Sequence, residues 1–177
     1  MEFELAYRRL VAATQLQSRQ VALAIAREFG DSLLTAEFVS DEHVDFICRV
    51  LLDPVVAKRP GLDELILVLY IDREKLSEGQ LERFFGCLAN SFGHLADENS
   101  AFVIGDLIAR VASPERALEL LLDMTAKVTS LQALAGAFLG LDILRKHPTG
   151  MSLNAIESAV KTAEERSAQL KNEANSV

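Results

Sequence analysis

Apolar positions along this chain return in a recognisable order at a fixed interval. Ser40-Asp41-Glu42-His43-Val44-Asp45-Phe46-Ile47-Cys48 matches Ser77-Glu78-Gly79-Gln80-Leu81-Glu82-Arg83-Phe84-Phe85, and both match Pro114-Glu115-Arg116-Ala117-Leu118-Glu119-Leu120-Leu121-Leu122. Each copy opens with a helix-starting residue and an acid. Two spacers, an aliphatic residue, a second acid and an apolar run follow. The copies start 37 residues apart, and a weaker fourth begins one residue late at Ser152-Leu153-Asn154-Ala155-Ile156-Glu157. A period of this size predicts stacked two-helix units, each too small to bury its apolar face alone.

Taken in order, residues 2–14 and 19–29 predict two helices that lack the repeating acids, as terminal units of an array do. Ser18 is the expected N-cap of the second and Gly30 its stop. Residues 31–39 read as a short helix or connector, so residues 1–39 form an N-terminal cap. The first full unit, 40–76, starts a helix at Ser40 or Asp41 and ends it at Asp53-Pro54, because a residue before proline is pushed out of the helical region. Its return helix is 62–71. Residues 65–70 would suit a strand on propensity alone, but the repeat sets them opposite clear helices. The second unit, 77–113, opens on a capping box, Ser77 with Gln80, and its first helix is expected to reach about Leu95 past Gly86 and Gly93. The third, 114–150, has Ser113 as N-cap, Pro114 in the first helical position, and a return helix from Thr129 or Ser130 to Lys146, stopped by His147-Pro148-Thr149-Gly150. Ala133, Ala135, Gly136, Ala137 and Gly140 predict close approach of that return helix to a neighbour, as does Gly105, 35 residues before Gly140. A last helix runs from 153 to about 171 within the C-terminal cap 151–177, and residues 172–177 should fray. The fold class is therefore all-α: one domain of about eight to ten helices in a short right-handed stack.

Composition narrows the chemistry. With 177 residues, half of them hydrophobic, no tryptophan and few aromatics, the core is expected to be built from Leu, Ile, Val and Ala. The formal net charge is −8, and no basic stripe exists beyond the pairs Arg8-Arg9 and Lys58-Arg59, so a nucleic-acid partner is not expected. The longest apolar run, residues 65–71, is far shorter than the ~20 residues a bilayer span needs, so neither is a membrane. Cys48 and Cys87 lie inside apolar runs and read as small buried hydrophobes in a reducing compartment, not as a disulfide or metal clip. The first residues lack a basic segment followed by an apolar one, which points to the cytoplasm.

Two-helix units of this length, with Asp-Pro in a connection and Leu-rich helices, resemble the HEAT and armadillo type of α-solenoid over residues 40–163. That resemblance implies a binding surface, not an enzyme. Small acidic domains of this kind are also similar to some bacterial immunity proteins, which block a toxin by covering it.

The repeated acids are the candidate contact residues. Asp41, Glu78 and Glu115 hold equivalent positions, as do Asp45, Glu82 and Glu119, and Asp123 extends the last series along its helix. In a regular stack each series would form a row facing a basic protein partner, most concretely a toxin domain. Acids in a first helical turn also interact favourably with the macrodipole, which explains them without a partner. His43, with Asp41, Glu42 and Asp45, and His94, with Asp97 and Glu98, hold metal-ligand residue types without the i,i+4 spacing of a helical zinc site. His147 precedes a proline at a helix end. No nucleophile elbow, phosphate loop or dinucleotide fingerprint occurs, so no enzyme activity, cofactor or metal is expected. The expected function is that of a monomeric, non-catalytic protein-binding module. The alternative is a structural or regulatory module that self-associates or docks in an assembly through apolar surface, suggested by residues 65–70.

Overall fold

The computed structural model describes residues 1–34, 36–148 and 150–175. Among these the chain forms nine α-helices and no strand: α1 Phe3–Ala12, α2 Ser18–Leu34, α3 Asp41–Leu52, α4 Leu62–Ile71, α5 Glu78–Ser91, α6 Glu98–Val111, α7 Pro114–Lys127, α8 Leu131–Lys146 and α9 Leu153–Ala174. Short 3₁₀ turns, Arg73–Lys75 and Phe92–His94, follow α4 and α5. The strand-like stretch 65–70 is helical, inside α4. Thr149, expected in the stop after α8, and the end of the tail expected to fray, 176–177, lie outside the described residues.

Caps fix most boundaries. The Ser77 hydroxyl accepts from the Gln80 amide at 3.2 Å, and the Gln80 side chain accepts from the Ser77 amide at 3.0 Å, closing the capping box. Ser130 caps α8 through the Ala133 amide at 3.1 Å, and Ser113 caps α7 with Pro114 in the first turn. Asp97 caps α6 by accepting from the amide and hydroxyl of Ser100 at 2.9 and 2.7 Å.

Four expected boundaries differ. α5 ends at Ser91, short of Leu95, and gives way to the 3₁₀ turn Phe92–His94 where Gly93 weakens the helix. Gly30 does not stop α2, which continues to Leu34, because Leu33 at the extra turn is fully buried and its burial outweighs the propensity cost of glycine. Ser18 does not cap α2, since its hydroxyl donates to the Pro60 carbonyl at 2.9 Å. α9 keeps its helical form three residues beyond Lys171, to Ala174.

The chain divides into two compact units, Met1–His94 and Leu95–Val177. In the first, α2 packs on α4 and α3 on α5, with α1 against α2 and α3. The core there is Ile25, Phe29, Leu33, Ile47, Leu51, Leu65, Ile66, Leu69, Phe84 and Leu88, all essentially without solvent access. Gly61, with φ +110°, turns the chain into α4, and a Cβ there would lie 2.8 Å from the Ala22 Cβ. In the second unit α6 lies on α8, while α7 and α8 both pack on α9. The close approach predicted from the small residues is present between α6 and α8. The first unit's main packings therefore join helices two apart in the chain, and the hairpin partners α3 and α4 of residues 40–76 touch less extensively.

Two cations seal helix ends in the first unit. The Arg59 guanidinium donates to the carbonyls of Leu10, Val11 and Ala13 at the end of α1, and Lys75 donates to the Leu33 carbonyl at 2.8 Å. Arg166 does the same for α7 in the second unit, through Val128 at 3.0 Å. Each satisfies carbonyls a helix end leaves without an internal partner.

Candidate functional site

The sequence-predicted acids fall on α3, α5 and α7. Asp41 and Asp45, one turn apart on α3, converge on one guanidinium: Arg83 of α5 lies 3.2 Å from Asp41 and 3.4 Å from Asp45. Gln80 of α5 also donates to the Asp41 carboxylate and to the Val39 carbonyl, both at 2.9 Å. Glu78 and Glu82 are exposed on α5. Along α7, Glu119 accepts from Arg116 at 2.8 Å and Asp123 from Lys127 at 2.7 Å, while Glu115 is exposed in the first turn. Asp41, Asp45, Glu119 and Asp123 thus each carry a basic partner of this same chain, which lowers the field each presents to a visitor. Those partners, Arg83, Arg116 and Lys127, are the signal that a reading of the acids alone passes over.

Cys48 and Cys87 form a disulfide with Cα atoms 5.4 Å apart, contrary to the expectation of two unpaired hydrophobes. The reason is register. α3 and α5 lie side by side, and residues 39 apart face each other, as Asp41 and Gln80 also do. The inference of a reducing compartment rested on unpaired thiols and loses that support. No helix among the described residues is long and apolar enough to cross a membrane.

His43 does not present itself to a ligand. It is buried between Phe3 and Phe29, with ring centroids 4.9 and 5.2 Å away in edge-to-face arrangement. Ser32 donates its hydroxyl to the Phe29 carbonyl at 2.6 Å, so it must accept from His43 Nε2 at 2.9 Å. Nδ1 is then the acceptor for the Ser40 hydroxyl at 2.6 Å. Burial lowers the pKa of this ring and favours the neutral form that the two serines satisfy. His94 is half-buried in the second 3₁₀ turn, and exposed His147 ends α8 through its backbone amide, which donates to the Ile143 carbonyl at 3.0 Å. No group of three metal-ligating side chains forms among the described residues.

The surface least expected of a solvated face is the groove between α2 and α4, with a volume of about 340 Å³. Leu23 and Leu34 line it from α2, Leu67 and Ile71 from α4, and they are 37, 76, 41 and 65% exposed. Four large aliphatic side chains exposed along one groove are a patch, unlike the isolated exposed Leu16 or Val55. Gly30 lies on the floor beside Val68, and a Cβ there would stand 3.5 Å from Val68 Cγ1, in ordinary contact. The helices run the same way, tied at one end by Arg19 to Asp63 and Glu64 at 3.1 and 3.0 Å and at the other by Lys75 to the Leu33 carbonyl. Asp31, Glu64 and Asp72 line the groove against one lining cation, Arg27. Arg19 and Lys75, which do not line it, hold Glu64 and Asp72 at 3.0 Å each.

Comparisons with family models, with curated proteins and with solved structures return no match.

Proposed function

We propose that this chain is a non-catalytic protein-binding module, and that the α2–α4 groove of its first unit receives an amphipathic helix of the partner. The carrying observation is the line of exposed Leu23, Leu34, Leu67 and Ile71 between two parallel helices. From Leu23 to Leu34 the groove extends ~16 Å, about three helical turns, and a helix laid in it would bury apolar residues spaced i, i+3/4, i+7. Glu64 and Asp72 are held by Arg19 and Lys75, so Asp31 is the lining carboxylate that favours a lysine or arginine beside that apolar face. Contact rather than turnover also suits the buried His43, whose two ring nitrogens are both committed to serines.

The more specific form is immunity-type: the partner is a basic toxin domain, neutralised when covered. The acids of α3, α5 and α7 would then steer its approach, with exposed Glu78 and Glu115 contributing more than the paired Asp41, Asp45, Glu119 and Asp123. Affinity should weaken steeply with salt, and charge reversal at Glu115, Glu119 and Asp123 should slow association. Unchanged binding would remove the acidic surface from the account.

A photo-crosslinking residue at position 67 tests the docking site. The expected adduct joins it to an apolar-faced, Lys/Arg-flanked segment, sequenced by mass spectrometry. Adducts to acidic or extended segments, or crosslinking that persists when Ile71 and Leu34 are changed to Glu, would contradict the proposal.

A further inference from the structure

Beyond the binding reading, we propose that Cys48–Cys87 is a reversible thiol switch that sets the rigidity of the α3–α5 pair, opened by a dithiol that attacks Cys87 and closed through a disulfide that the Cys87 thiolate attacks. Three observations converge on it.

The bond joins two helices that are already held together. α3 contributes Val44, Ile47 and Leu51 to the core and α5 contributes Phe84, Phe85 and Leu88, all at most 2% exposed. Two turns towards the helix starts, Gln80 and Arg83 clamp Asp41 and Asp45 in the same register. A seam with apolar burial and polar clamps of its own stands with the sulfurs unlinked, so the reduced chain is folded. The same register keeps the two thiols opposed after reduction, which favours re-formation.

The two cysteines differ in exposure. Cys48 is 7% exposed, whereas Cys87 is half-buried and borders solvent on α5. Exchange proceeds by attack of a thiolate on one sulfur along an open path, and here Cys87 offers it. The attacking thiolate forms a mixed disulfide with Cys87 Sγ and expels Cys48 as a thiolate, which takes a proton. The second thiol of the reductant then attacks its own sulfur, frees Cys87, and leaves as a disulfide. Oxidation reverses this: a disulfide oxidant accepts the Cys87 thiolate, Cys48 displaces it, and two thiols are released.

The consequence reaches the surface. α3 and α5 carry Asp41, Asp45, Glu78 and Glu82, and the linked pair holds them on one fixed frame. Reduction leaves only the polar clamp and the apolar seam to do so.

The test uses the full chain. Intact mass and thiol titration before and after native treatment with dithiothreitol should show two thiols appearing with a gain of two hydrogens. The reduced chain should keep its helical circular dichroism, melt about 10 °C lower, and exchange amide hydrogen faster in α3 and α5 with α9 unchanged. A glutathione buffer series should interconvert the forms without denaturant. Cys48→Ser should take up glutathione at Cys87, and Cys87→Ser should react at Cys48 at least tenfold more slowly. Absence of the bond in air-oxidised protein would overturn the proposal. So would reduction only under denaturant, unfolding on reduction, or equal reactivity of the two single variants.

Discussion

Gly105 of α6 and Gly136 of α8 meet backbone to backbone: a Cβ built on Gly105 would lie 2.7 Å from the Gly136 carbonyl carbon, and one on Gly136 2.5 Å from that of Ala101. Backbone cannot give way as a flexible side chain can. Gly105→Ala should destabilise the chain by at least about 2 kcal/mol in urea unfolding, at the upper part of the usual overpacking range. Gly86→Ala is the counterpart. It lies inside α5 with nothing within 4 Å of its Cβ position, so the same change should stabilise by ~1 kcal/mol through helix propensity. Equal effects at the two sites would contradict the packing.

Much of this was legible from the chain. Ser77 with Gln80, Ser113 with Pro114 and Ser130 mark helix starts through bonds between residues three apart, and neighbours in sequence suffice to read them. Gly105 and Gly140, found by the 35-residue offset, pointed to the α6–α8 contact. The misreadings depend on partners far along the chain. Gly30 looks like a stop until the burial of Leu33 is known, and Cys48 looks unpaired until α3 and α5 are set side by side. The 39-residue spacing of the cysteines, close to the repeat period, was the clue to that pairing. The exposed line of Leu23, Leu34, Leu67 and Ile71 was legible only in its α4 half, where the apolar run 65–70 suggested a docking surface; the α2 half was not, because α2 looks ordinarily amphipathic.

The buried His43 sets a pH dependence. Its pKa in the folded chain is lowered, principally by burial, from an unfolded value near 6.5. The unfolded chain therefore binds more protons in that interval, and stability contributed by the neutral ring is full above about pH 6.5 and lost as pH falls below it. Urea melts at pH 7.5 and 5.5 should show a larger loss for the wild type than for His43→Gln. Parallel losses would mean that other groups account for the slope.

Arg59 ties the end of α1 to the turn before α4 through the carbonyls of Leu10, Val11 and Ala13. Arg59→Met removes these bonds and keeps most of the apolar stem. The expected cost is ~1–2 kcal/mol, below the full value for charged hydrogen bonds because the side chain is half-exposed. Hydrogen exchange should rise in α1 and not in α9. Uniform loss of protection would show that the cap is not local.

The docking claim is tested most directly by fluorescence anisotropy of two labelled helical peptides that share one apolar face, one flanked by lysines and one by glutamates. The account predicts that the lysine peptide binds the whole chain at least tenfold more tightly than the glutamate peptide, and that Leu67→Glu with Ile71→Glu abolishes this binding while the helical signal is kept. Equal binding of the two peptides, no binding of either, or binding untouched by the double substitution would contradict it.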